Sequence, residues 1–115
     1  MIAYDGEGFK MLLEYGSWKI GMVTSNEHLE IAGEMKRHML TDEAFALICG
    51  SAILYTDRET AHMKIGEVYN VPVGVWHQLI VNEGSKVLVI ENRNTSKENT
   101  EKKYFNEKGW INAHE

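Results

Sequence analysis

Cysteine is almost absent from this 115-residue sequence: Cys49 stands alone, so no disulfide can form within the chain. That pattern is expected of a reducing compartment and argues against a disulfide-stapled scaffold. Long apolar runs are missing too. The opening Met1-Ile2-Ala3-Tyr4-Asp5-Gly6-Glu7-Gly8 has no positive flank leading into an apolar stretch, and no later segment approaches the roughly 18 residues of a spanning helix. No membrane partner is expected, and the cytoplasm is the expected location. Basic residues are too few and too scattered to form a stripe: 12 Lys and Arg oppose 17 Asp and Glu, for a net charge of -5. The pairs Lys36-Arg37 and Lys102-Lys103 are too short to make a phosphate-binding surface, so no nucleic-acid partner is expected. Helical periodicity is the last absence. Between Phe9 and Glu91 no convincing helix of about 12 residues can be drawn, which leaves no room for the crossovers of a parallel α/β sheet.

What is present is a succession of short β-rich runs parted by turn residues. Met11-Leu12-Leu13 and Trp18 to Val23 flank the break Tyr15-Gly16-Ser17, as a pair of strands would. Leu29, Ile31, Gly33 and Met35 recur at period two up to His38; Gly33 inside that run disfavours a helix by roughly 1 kcal/mol, so a strand is expected from Leu29 to His38. Glu43 to Gly50 and Ala52 to Thr56 have strand length and meet at Gly50-Ser51. His62 to Ile65, Val68 to Val71, Trp76 to Val81 and Lys86 to Glu91 follow, with turns at Gly66-Glu67, Pro72-Val73-Gly74 and Asn82-Glu83-Gly84. The expected fold is all-β: a small jelly-roll β-barrel of two antiparallel sheets, closed enough to protect its edges. The expected organisation is a single domain over residues 1–115, with 92–115 a polar loop and C-terminal extension. Glu101 to Trp110 is expected as a short helix or an edge strand, its Tyr104, Phe105 and Trp110 packed back on the body.

Period two also sorts the polar residues. Glu43, Phe45, Leu47 and Cys49 share one strand face, and Val73, Val75, His77, Leu79 and Val81 share another. A carboxylate and an imidazole thus fall on apolar faces, which is costly unless each finds a partner. His38, just before the link to Glu43, adds a second imidazole. Two imidazoles and a carboxylate suit a divalent metal such as Zn, Fe, Mn or Ni, with positions open for water or substrate. The same three groups could instead be a hydrogen-bonded structural cluster. Phe45, Val75 and Leu79 are expected to wall the cavity around them. Trp76 and Gln78 should face away from it, and His62 is a weak further candidate, with His28 and His114 in polar surroundings. Cys49 would lie about 20 Å along its strand from Glu43, too far to act with it as a nucleophile, and is expected as a small buried hydrophobe.

The spacing Gly66, five residues, Pro72, one residue, Gly74, two residues, His77 resembles the second motif of the cupin superfamily, with Asn82 one place later than that motif asks. Glu43, six residues and Gly50, preceded by His38, resemble the first motif, in which Lys36 takes the place of the first of two histidines. The resemblance runs from roughly Phe9 to Glu91. It implies a metal bound by His38, Glu43 and His77, a small-molecule ligand, and pairing into a homodimer. It also implies a repertoire of isomerase, decarboxylase or dioxygenase chemistry without choosing among them. Lys36 opens an alternative, a metal-free small-ligand binding module with a degenerate metal site. Its ammonium would oppose a cation if it pointed inward, where it could instead pair with Glu43 or hold an anionic ligand; it could equally extend into solvent.

Overall fold

The computed structural model describes residues 1–106 and 109–112; His114 and the side chain of Trp110 lie outside that description. Eleven strands are present among the described residues. They are β1 (Gly8–Tyr15), β2 (Trp18–Thr24), β3 (Glu34–His38), β4 (Glu43–Cys49), β5 (Ala52–Thr56), β6 (Thr60–His62), β7 (Val68–Val71), β8 (His77–Val81), β9 (Lys86–Asn92), β10 (Thr100–Asn106) and β11 (Gly109–Asn112). A single 3-10 turn, Lys97–Asn99, interrupts the strands. Five strands form one sheet in the order β1-β2-β9-β4-β7 and six form the other in the order β11-β10-β3-β8-β5-β6, with every pairing antiparallel.

The core lies between the sheets because alternate residues of β4, β8 and β9 turn inward. Glu43, Phe45 and Leu47 are buried on β4, His77, Leu79 and Val81 on β8, and Val87 and Val89 on β9. Val81 and Val87 are fully enclosed, and Leu54, Val71 and Met63 complete the apolar packing. The expected closed barrel is corrected to two facing sheets, neither closed on itself: β1 and β7 are edges of one, β6 and β11 of the other.

The expected strand from Leu29 to His38 begins only at Glu34. Asn26 explains the difference. Its buried amide donates to the Leu79 carbonyl at 3.0 Å and its Oδ1 accepts from the Val81 N–H at 2.6 Å, while its carbonyl takes the N–H groups of Leu29 and Glu30. This side chain thus substitutes for a strand neighbour and turns the chain, and Gly33, at φ +81°, completes the turn. The strand expected over His62 to Ile65 lies instead at Thr60–His62, and Met63 to Ile65 are not strand. The described residues between Glu101 and Trp110 are strand, not helix. There β10 pairs with β3 in the register Thr100↔His38 and Lys102↔Lys36. Tyr104 and Phe105 are 36% and 59% exposed, so they are only partly covered. Cys49 is half-buried, displaced by an irregularity of the ladder between Leu47 and Cys49.

Candidate metal centre

His38 ends β3, Glu43 opens β4, and the link between them carries the chain from one sheet to the other. His77 opens β8, beside β3, in the register Lys36↔His77. Three hydrogen bonds set this end of the molecule. The His38 carbonyl accepts the Gly74 N–H at 2.9 Å, and the Asp42 carboxylate accepts the Val73 N–H at 2.9 Å and the Asn70 amide at 3.1 Å. Gly74 itself has φ +79°, a conformation that favours glycine, so the turn that delivers His77 depends on it. At the far end of β4, a Cβ on Gly50 would stand 2.1 Å from the Ser85 hydroxyl oxygen. Of the glycines noted in the sequence spacing, Gly50 is thus a steric requirement, while Gly66 and Gly74 are required by backbone conformation, with φ of +92° and +79°.

The three side chains meet between the sheets. His38 Nε2 lies 3.1 Å from Glu43 Oε1, and His77 Nε2 lies 3.0 Å from the same oxygen. The side chains of His38, Glu43 and His77 are 12%, 8% and 6% exposed. One donor atom from each falls within 4.8 Å of the others. The rings stand 5.3 Å apart, and Phe45 packs 5.9 Å from that of His77.

The other ring nitrogens decide what kind of site this is. His77 Nδ1 is 3.0 Å from the Val75 carbonyl, which can only accept, so Nδ1 carries a proton. His38 Nδ1 is 3.0 Å from the Thr100 hydroxyl, which donates its own proton to the Ser96 carbonyl at 2.7 Å and so accepts from the ring. In the neutral imidazoles, both Nε2 atoms then present lone pairs toward a carboxylate oxygen that also has only lone pairs. Such a convergence calls for a cation, and outer contacts that fix the coordinating nitrogen are the usual companions of a metal-bound histidine. The donor set fits a divalent first-row ion held by two imidazoles and one carboxylate.

Burial opposes ionisation of Glu43, but in the metal-free protein Nε2–H groups of His38 and His77, with Glu91 beside them, outweigh that cost and hold its carboxyl well below the ordinary carboxylate range; a bound cation would take the place of those ring protons. Glu91 was not singled out by its sequence. It sits directly across from Glu43 on β9, and its Oε2 is buried with no donor reaching it. Burial and the facing Glu43 push its pKa up to about 8, only partly offset by Lys19, whose Nζ is 3.8 Å from Oε1. The alternation Val87, Val89, Glu91 carried the signal: an acid on the inward face of an apolar strand.

A cavity of about 340 Å³ adjoins the cluster. Lys36, Phe45 and Leu79 line it, as do Phe9 and Leu29; Val75 does not. The inward alternation of β8 starts only at His77, after the Pro72-Val73-Gly74 turn, so Val75 packs against the apolar core and offers its carbonyl to His77. Trp76 faces away, its ring between Arg37 at 4.5 Å and Lys103 at 4.4 Å. Gln78, expected to face away, instead lines the cavity and donates to the Ile31 carbonyl at 2.9 Å. His62 is exposed and outside the cluster, and His28 is an exposed partner of Glu7.

No protein-family model and no curated protein matches the sequence. Solved structures do. A cupin-2 domain protein from Shewanella frigidimarina aligns with a TM-score of 0.62 at 24% identity, over 78% of this chain and 85% of that one. A sugar phosphate isomerase of the cupin superfamily from Silicibacter pomeroyi aligns at 0.59 and 14%, over 98% and 85%. KdgF from a Halomonas species aligns at 0.59 and 10%, over 78% and 81%. The chain has the cupin fold, and within it the His38, Glu43 and His77 cluster occupies the core between the sheets.

Proposed function

We propose that this chain is a small-molecule cupin that binds one divalent metal ion through His38 Nε2, His77 Nε2 and Glu43. The observation that carries this reading is the convergence of two tautomer-fixed Nε2 lone pairs on one carboxylate oxygen, at 3.0 and 3.1 Å, in a buried pocket. When bound, such an ion polarises a ligand carbonyl or activates water or oxygen. The chain's own contribution is to orient the ligand against the apolar wall of Phe45 and Leu79, exclude bulk water, and hold a proton at Glu91 beside Glu43. The neighbours include a sugar phosphate isomerase, which makes isomerase chemistry one member of the candidate set alongside decarboxylase and dioxygenase chemistry.

The proposal includes a single cytoplasmic domain over residues 1–115, acting as a homodimer. Support for pairing comes from the outward side of the five-stranded sheet, where Trp18, Ile48, Val68 and Ile90 are 40%, 46%, 71% and 38% exposed. Strands that are apolar on both faces are typical of sheets covered on both sides. No helix among the described residues is long and apolar enough to cross a membrane.

The test is the metal content of protein purified without added metal or a histidine tag, before and after equilibration with Zn, Fe, Mn or Ni. The expected result is about one equivalent per chain, lost in a His38→Ala, His77→Ala double variant that remains folded. A wild-type protein that takes up none of these ions would move the assignment to a metal-free ligand-binding cupin.

A further inference from the structure

The cavity wall contains a cation that the metal cluster does not use. Lys36 sits two residues before His38 on β3, on the same inward face, and directly opposite His77 on β8. It lines the cavity, is half-buried, and makes no ion pair or side-chain hydrogen bond among the described residues. Its other cross-strand partner is Lys102 on β10. Lys102 is exposed and does not line the cavity, so Lys36 is the cation of that wall. Four acids line the same cavity: Glu43 and Glu91 belong to the metal cluster, and the other two are differently placed. Glu30 accepts from the Asn26 amide at 3.2 Å, and Glu34 lies two residues further from His38, with no ion pair to Lys36.

We propose that Lys36 is the anion-holding end of the cavity, and that the ligand is a small hydroxy or oxo acid bound between Lys36 and the metal centre. The assignment rests on the metal reading for the oxygen end of the ligand and on Lys36 for the acid end. Along a strand, residues two apart are separated by about 6.8 Å, which sets the span from Lys36 to His38. A carboxylate with an oxygen function on a neighbouring carbon can bridge such a span when an extended ammonium approaches from one side and a metal from the other. Phe9 and Leu29 add an apolar wall for the carbon skeleton. Lysine at this position, which in isolation would weaken a metal site by charge repulsion, then serves the ternary complex, because a bound carboxylate separates the two positive charges.

The experiment titrates zinc-loaded and metal-free protein with lactate and with its neutral counterpart lactamide, occupancy being read from amide NMR shifts. In the zinc-loaded wild type, lactate should bind at least tenfold more tightly than lactamide. That preference should fall at least fivefold in Lys36→Met, to what the zinc alone confers, and survive largely in Lys36→Arg. A wild type that binds lactate no more tightly than lactamide, or a preference undiminished in K36M, overturns the proposal. The arms separate the two readings. Failure to load zinc contradicts the metal centre, and the charge preference is then read in the metal-free protein, where Lys36 must still produce it. Zinc binding with no Lys36-dependent preference leaves the metal centre standing and removes the anion site.

Discussion

Thr100 provides a sharp test of why the metal cluster takes the form it does. Its hydroxyl accepts from His38 Nδ1 at 3.0 Å and donates to the Ser96 carbonyl at 2.7 Å, so it fixes the proton on Nδ1 and leaves Nε2 free to coordinate. Thr100→Val keeps the shape of the side chain and removes both functions. The ring then loses its orienting acceptor, and the tautomer with a proton on Nε2 gains from facing the Glu43 carboxylate; that tautomer cannot bind a metal. Loss of such an outer contact typically weakens a site by about 10- to 100-fold, equivalent to about 1.4 to 2.8 kcal/mol. The fold should tolerate the change, because Ser96 is exposed and water can replace the hydroxyl on its carbonyl, at a cost of about 0.5 to 1.5 kcal/mol in stability. Competition for zinc against a chromophoric chelator, with Thr100→Ser as the variant that restores the hydroxyl, measures the effect. Equal zinc affinity in T100V and wild type would refute the argument that β10 fixes the coordinating nitrogen.

Three further outcomes follow from the same structure. Glu91 has its pKa raised from 4.5 to about 8 in the folded, metal-free protein, so its contribution to stability is complete below pH 4.5 and is lost as pH rises through about 8. Denaturation of metal-free protein across this range should show falling stability, and Glu91→Gln, which cannot ionise, should flatten the fall; a wild-type profile that rises toward pH 8 would contradict it. Asn26→Ala leaves the Val81 N–H and Leu79 carbonyl without their buried partner, and is expected to cost about 1 to 3 kcal/mol in urea unfolding; a loss below 0.5 kcal/mol, by that same scale, would contradict the role of Asn26 as a strand substitute. Leu54→Ala removes a side chain that is 3% exposed in the core and should cost about 2 to 5 kcal/mol, while zinc affinity of the folded fraction is unchanged.

Strand existence was largely legible in the sequence because β4, β8 and β9 alternate cleanly between inward and outward residues. The misjudged stretches have local physical causes. Leu29 to Gly33 alternates like a strand, but Asn26, whose side chain is held by Leu79 and Val81 53 and 55 residues away, takes the segment's first N–H groups on its own carbonyl, an anchoring no local pattern reveals. Val75 continues the alternation of β8 on paper, yet the turn at Pro72 to Gly74 breaks the face before the strand begins. Openness of the two sheets is a property of strand pairing, which periodicity does not encode.

The metal cluster was legible for a different reason: His38, Glu43 and His77 are polar residues at fixed distances from glycines that the backbone requires. What surrounds them was not legible. Thr100 comes from a segment expected only as a polar loop and becomes the partner of His38 because β10 pairs with β3. Glu91 looked like the polar end of an apolar strand, and only the register Glu43↔Glu91 makes it a neighbour of the site. Lys36 could have pointed either way; its place in the cavity wall follows from pairing with His77.

The most direct measurement of the central claim is a crystal structure of zinc-loaded protein with anomalous diffraction collected on both sides of the zinc absorption edge. The account predicts one zinc peak between the sheets, about 2.0 to 2.2 Å from His38 Nε2, His77 Nε2 and a Glu43 oxygen, with both Nδ1 atoms still on Thr100 and Val75. Zinc bound elsewhere, ligation through either Nδ1, or an undisturbed cluster without a peak at saturating zinc would contradict it.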